Sequence, residues 1–204
     1  MVGVLAIQGA FSEHCRTLLN VRIDGCDVEV VEVRSAREFE EYELDGLVIP
    51  GGESTAIALV ARKWGVLDLL KDWVKQGKPV YGTCAGLIML ADSVECQKEH
   101  GQELIGGLDV TAKRNMYGKQ ISSFIAPLDI QDEQLNSMTN GFKGMFIRAP
   151  GITRVGENVQ ILASLEGDPV AVRQNSIMVT CFHPELTKST IWHEYFIRHL
   201  ILKQ

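Results

Sequence analysis

The chain has 204 residues, of which 46% are hydrophobic and 23% charged, a mix that supports one well-cored domain over residues 1–204 and leaves little room for disorder. Its net charge of −6, with Lys and Arg scattered, excludes the basic stripe that a phosphate backbone requires, so nucleic acid is not an expected partner. No apolar run approaches the ~20 residues that cross a bilayer, which excludes a membrane-spanning helix.

Residues 2–7 form the first predicted strand. The run lacks a basic leader and passes straight into Gln8-Gly9, so it reads as a buried strand and not as a signal peptide, and a cytoplasmic protein is expected. Further apolar, β-branched runs at 28–33, 46–49 and 79–81 alternate with helical patterns at 13–20, 55–62, 66–76 and 85–91. That alternation predicts βαβ units around a largely parallel sheet, with strands covered on both faces.

The texture changes after Ser93. A polar stretch at 95–103 and Gly106-Gly107 precede strand-like segments at 108–112, 122–128, 144–147, 159–164, 170–173 and 177–182, almost without helical signals. Antiparallel hairpins that extend or flank the sheet follow from this pattern. Residues 189–202 close the chain as a helix, with Trp192, Tyr195, Phe196 and His199 at helical spacing.

Five cysteines, Cys15, Cys26, Cys84, Cys96 and Cys181, contain no C-x-x-C pair and make an odd count. Neither a disulfide framework nor a zinc site is expected, and no metal or cofactor is assigned. Only Cys84 has chemical surroundings. An apolar strand enters a helix through Gly82-x-Cys84-x-Gly86, the cysteine counterpart of the G-x-S-x-G nucleophile elbow. Such a turn crowds its neighbours, and glycines relieve the crowding. It sets the sulfur at a helix N-terminus, where the dipole favours a thiolate, and aims the N–H of Ala85 at a developing oxyanion.

A base is needed, and the strand at 177–182 ends in His183-Pro184-Glu185. Pro184 holds His183 extended, which directs the imidazole off the sheet edge. Glu185 can then orient the ring, completing a Cys–His–carboxylate set. His14, at the start of a helix, has no assigned role; His100, His193 and His199 are read as solvated or packing residues, and the other four cysteines as structural. The loop Pro50-Gly51-Gly52-Glu53-Ser54-Thr55 lacks the G-x-x-x-x-G-K-[ST] phosphate pattern and reads instead as the second half of an oxyanion hole.

With these segments the sequence resembles the class I (triad) glutamine amidotransferases, and within them the glutaminase subunits of pyridoxal phosphate synthase. The elbow and His-x-Glu are common to many amidotransferases. The stretches Gln8-Gly9-Ala10-Phe11, Pro50 to Thr55 and Ile147-Arg148-Ala149-Pro150 are specific to this family. The resemblance implies a three-layer α/β/α fold, a mostly parallel central sheet with additional antiparallel strands. It also implies a γ-glutamyl thioester on Cys84, release of ammonia from L-glutamine, and transfer of that ammonia to a separate synthase subunit. By position, Gly52, Glu53, Ser54, Arg114, Ile147 and Arg148 are implied in the glutamine pocket, and Gln8, Gly51, Gly52 and Ala85 in the oxyanion region. Either Arg114 or Arg148 can meet the substrate carboxylate, and Glu53 its ammonium.

One departure stands out. The family continues after Arg114-Asn115 with Phe-Gly-Arg-Gln, whereas this chain has Tyr117-Gly118-Lys119-Gln120, and Lys lacks the planar fork of Arg. The competing readings are a glutaminase for another synthase, an α/β-hydrolase-like cysteine enzyme, and a silent regulatory subunit. In the hydrolase fold the acid precedes the histidine, whereas here it follows by two residues. A silent subunit is at odds with an intact triad.

Overall fold

Short β-branched runs become strands wherever helices can cover them, and in a computed structural model the first half of the chain follows that rule closely. Residues 1–95, 101–117 and 123–204 are described; Cys96, His100, Ser122 and the Gly118-Lys119-Gln120 departure lie outside them. In order come β1 (Val2–Leu5), α1 (Phe11–Leu19), β2 (Val30–Val33), α2 (Ala36–Glu41), β3 (Gly46–Ile49), α3 (Ser54–Lys63), α4 (Val66–Lys75), β4 (Val80–Thr83) and α5 (Ala85–Leu90). β1, β3 and β4 are buried at every position, whereas edge strand β2 is buried only at Val33.

The second half supplies β5 (Ala91–Val94), β6 (Leu108–Lys113), β7 (Ser123–Pro127), β8 (Asp129–Ile130), α6 (Glu133–Ser137), β9 (Lys143–Ile147), β10 (Gly151–Val155), β11 (Gln160–Leu165), β12 (Asp168–Gln174) and β13 (Ile177–Thr180). A 3₁₀ turn at Pro184–Leu186, α7 (Ile191–Tyr195) and a π-helical continuation at Phe196–Ile201 complete it. Among the described residues the main sheet has the order β2-β1-β3-β4-β13-β12-β11-β8. β2 through β13 in that order run parallel, and β12, β11 and β8 continue antiparallel. Two small sheets, β10-β6-β5 and β7-β9, lie apart from it. α1 packs with α7, while α4 packs with α2 and α3, and α3 with α5, so two helical layers enclose the sheet.

Four differences from the sequence reading have local causes. Ala91–Val94 is a strand, so the predicted helix at 85–91 stops at Leu90; an unbroken apolar run carries no boundary signal. α2 was not expected because none of its residues is buried and it therefore has no apolar stripe. α6 is only five residues long, held by Asp132, whose side chain accepts from the Leu135 N–H. β10 joins a satellite sheet that the alternating pattern did not reveal. Residues 189–202 do form the closing helical segment, but its second half widens into π geometry.

The register places the chemistry. Thr180 of β13 lies opposite Thr83 of β4, and Ile49 of β3 opposite Gly82. The chain therefore leaves three neighbouring parallel strands at the same sheet end, which is where open α/β sheets present ligand sites.

Candidate active site

Thr83 ends β4 and Cys84 caps α5 with φ 49° and ψ −100°, a backbone state that non-glycine residues rarely occupy. The flanking glycines are required by space. A Cβ built on Gly82 would lie 2.7 Å from the carbonyl carbon of Gly86, and one on Gly86 would lie 2.2 Å from the oxygen of Ile49. The elbow thus seats helix α5 directly on the sheet.

His183 arrives from the end of β13, with its backbone N–H donating to the Met145 carbonyl at 2.8 Å. Its Nδ1 lies 2.7 Å from Glu185 Oε1, which leaves Nε2 for the thiol. Gly51 bears on both partners: a Cβ there would meet His183 Cε1 at 2.5 Å and Cys84 Cβ at 3.2 Å. Burial alone would lower the His183 pKa. Hydrogen bonds to Cys84 and Glu185, with their charges, more than offset it and push the pKa up to about 10. Glu185 sits buried in the 3₁₀ turn. Burial would raise its pKa, but His14 and His183 outweigh that and hold it below the usual carboxylate range.

A cavity of about 410 Å³ opens above Cys84 and His183. Ala85 and Gly52 line it beside the thiol, as do Gln8 and Gly51. Gln8 Oε1 accepts from the Glu53 N–H at 2.9 Å, tying the turn after β1 to the loop after β3. These two segments also touch backbone to backbone: Gly9 has φ 87°, and a Cβ on it would lie 1.7 Å from the Gly51 oxygen. The Gly51 N–H itself turns inward, to Thr83 Oγ1 at 3.0 Å.

The remaining expected residues also line this cavity. Glu53 caps α3, its carboxylate accepting from the Thr55 N–H at 3.0 Å and the Ala56 N–H at 2.6 Å. Burial opposes its ionisation, but these N–H groups and Arg114 keep its pKa below normal. Arg114 donates to Ser54 Oγ at 2.8 Å and also to Gln102. Ile147 ends β9, and Arg148 follows it with φ 45°. Among the described residues neither Arg114 nor Arg148 makes an ion pair. Tyr117 packs its ring against Phe124 and Phe146.

Sequence reasoning missed what lies behind the carboxylate. His14 Nε2 is 3.4 Å from Glu185 Oε2 and 3.1 Å from Thr83 Oγ1, while its Nδ1 is 2.8 Å from His193 Nε2. All four side chains are buried. His193 does pack in the core as expected, but as a polar partner; only its position 179 residues from His14 hides the pair. Cys181 and Cys15 fit a structural role, since burial raises both thiols, Cys15 to about 11. No helix among the described residues is long and apolar enough to cross a membrane.

The SNO glutamine amidotransferase family matches residues 4–202. A probable pyridoxal 5'-phosphate synthase subunit PDX2 of Arabidopsis thaliana is 44% identical, covering 97% of this chain and 84% of its own length. The pyridoxal 5'-phosphate synthase subunit PdxT of Tropheryma whipplei (strain TW08/27) is 43% identical over 99% of each chain. A crystal structure of a glutamine amidotransferase superposes with a TM-score of 0.82 at 40% identity, covering 96% of each chain.

Proposed function

The chain belongs to the SNO glutamine amidotransferase family, and on that premise we propose that it is the glutaminase subunit of a pyridoxal 5'-phosphate synthase, hydrolysing L-glutamine on Cys84 and supplying ammonia to the synthase subunit. The 2.7 Å contact between His183 Nδ1 and Glu185, with the other ring nitrogen left to Cys84, carries this reading. A ring held in that way takes the thiol proton and stays charged beside the thiolate.

The thiolate attacks the side-chain carbonyl carbon of glutamine, and the oxyanion is met by the Ala85 N–H. The Gly51 amide is committed to Thr83, so the second donor in this scheme is Gly52. His183 returns its proton to the departing nitrogen as the C–N bond breaks, releasing ammonia and leaving a γ-glutamyl thioester. Water, deprotonated by His183, then attacks the thioester, and glutamate departs as Cys84 regains its thiolate. Arg148 is favoured for the substrate α-carboxylate because Arg114 already holds Ser54 and Gln102. Glu53, with its oxygens on the helix cap, presents negative charge to the substrate ammonium. A single catalytic unit over residues 1–204 and a cytoplasmic location belong to the same reading; the latter is supported by the free thiols of Cys15, Cys26, Cys84 and Cys181.

The test is glutamine-dependent ammonia release by the complex with the synthase subunit. Cys84→Ala should abolish it, because no thioester can form. Retained turnover would refute the mechanism. Adding the synthase should also raise the turnover of the isolated subunit, by turning a peptide at Gly51-Gly52, and equal activity with and without it would refute that part.

A further inference from the structure

Glu185 has one oxygen explained and one not. Oε1 accepts from His183, whereas Oε2 is buried with no hydrogen-bond partner among the described residues. A buried carboxylate oxygen left bare is costly, and a side-chain donor faces it in His14 Nε2, at 3.4 Å. His14 itself is fully buried, facing Glu185, His183, Glu13 and His193, with the Tyr81 ring edge-on. Burial is the largest influence on it and, with His183, outweighs the two carboxylates, so its pKa is lowered and the ring is neutral. His193 is lowered to about 3 by burial and by His14.

A neutral imidazole carries one N–H, and that fixes the order of the chain. If the His14 proton sat on Nδ1, a lone pair would face the carboxylate. With the proton on Nε2, Nδ1 becomes an acceptor and must receive from His193 Nε2, 2.8 Å away. His193 Nδ1 is then a bare lone pair, in agreement with its lack of any partner among the described residues.

We propose that His14 and His193 are positioning residues for this glutaminase: His193 Nε2–H donates to His14 Nδ1, and His14 Nε2–H donates to Glu185 Oε2, holding the carboxylate that orients His183. No proton moves along the pair. The same His14 nitrogen also lies against Thr83 Oγ1, the acceptor of the Gly51 N–H, so the dyad braces the triad and the glycine loop together. This inference rests on the triad reading above.

Two measurements test it. In ¹⁵N-histidine NMR of the folded protein at neutral pH, both rings should be neutral with the proton on Nε2; a proton on His14 Nδ1, or a charged His14, overturns the proposal. In the complex with the synthase subunit, His14→Leu should lower kcat about tenfold, the scale of one hydrogen bond to a charged group, with KM unchanged. It should also move the acid limb of kcat/KM to higher pH, since Glu185 loses a donor that favours its ionised form. His14→Gln, whose amide nitrogen reaches as far as Nε2, should restore the acid limb. An acid limb that is unmoved in His14→Leu, or equally displaced in both variants, overturns the proposal. If His14→Leu does not fold, the NMR result decides. Cys84→Ala serves as the control: turnover in that variant defeats the triad itself, whereas an inactive Cys84→Ala beside an unaffected His14→Leu defeats only the dyad.

Discussion

Glu185 is approached from the cavity by His183 and from the core by His14 and His193, and the rings on its two sides have opposite charge states. His183 is raised to about 10 and His193 lowered to about 3. Burial pulls both down. Only His183 sees negative charge on two sides, from Glu185 and Cys84, while His193 is separated from the carboxylate by a neutral ring. Contact with charge, and not depth of burial, decides which histidine can act as a base.

The largest test of this contrast removes the charged ring. His183→Asn should lower kcat by about 10²–10⁴, the usual worth of general base catalysis; a loss of only a few-fold would mean that the cavity-side ring is not the base. Glu185→Gln should cost less, roughly tenfold, because the amide still orients the ring but no longer stabilises its charge. The His183 pKa should fall from about 10 in that variant, read by NMR titration. A pKa that stays put would assign the elevation to Cys84 alone.

Stability should show the same opposition with smaller amplitude. A ring raised from 6.5 to about 10 stabilises the fold fully below pH 6.5, and that contribution is lost as pH rises toward 10. The Tm difference between wild type and His183→Asn should therefore shrink across that window. His193 has the reverse sign: the unfolded chain binds a proton below pH 6.5 that the folded ring refuses down to about 3. Wild type should lose stability on acidification through that range, and the Tm of His193→Gln should depend on pH less steeply.

Legibility in the sequence followed the range of the interaction. The elbow was readable because strand, Gly82, Cys84 and Gly86 lie within one short segment. The antiparallel extension was foreseen, but β5 and β10 were not, since their pairing is set by distant segments and not by local periodicity. α2 has a local mark in the sequence, Ser35 three residues ahead of Glu38, whose N–H donates to the Ser35 side chain, but no apolar stripe accompanies it. The histidine dyad was invisible for another reason. A lone His on a packed helix reads as core, and only the fold brings residues 14, 185 and 193 onto one line.

The bare backbones of Gly9 and Gly51 meet with no room for a methyl group between them, and Gln8 clasps the same loop at Glu53. The first turn of the chain and the loop over the thiol are in effect one latch with a shared bolt. A docking partner that shifts either must shift both, so the two segments move as one.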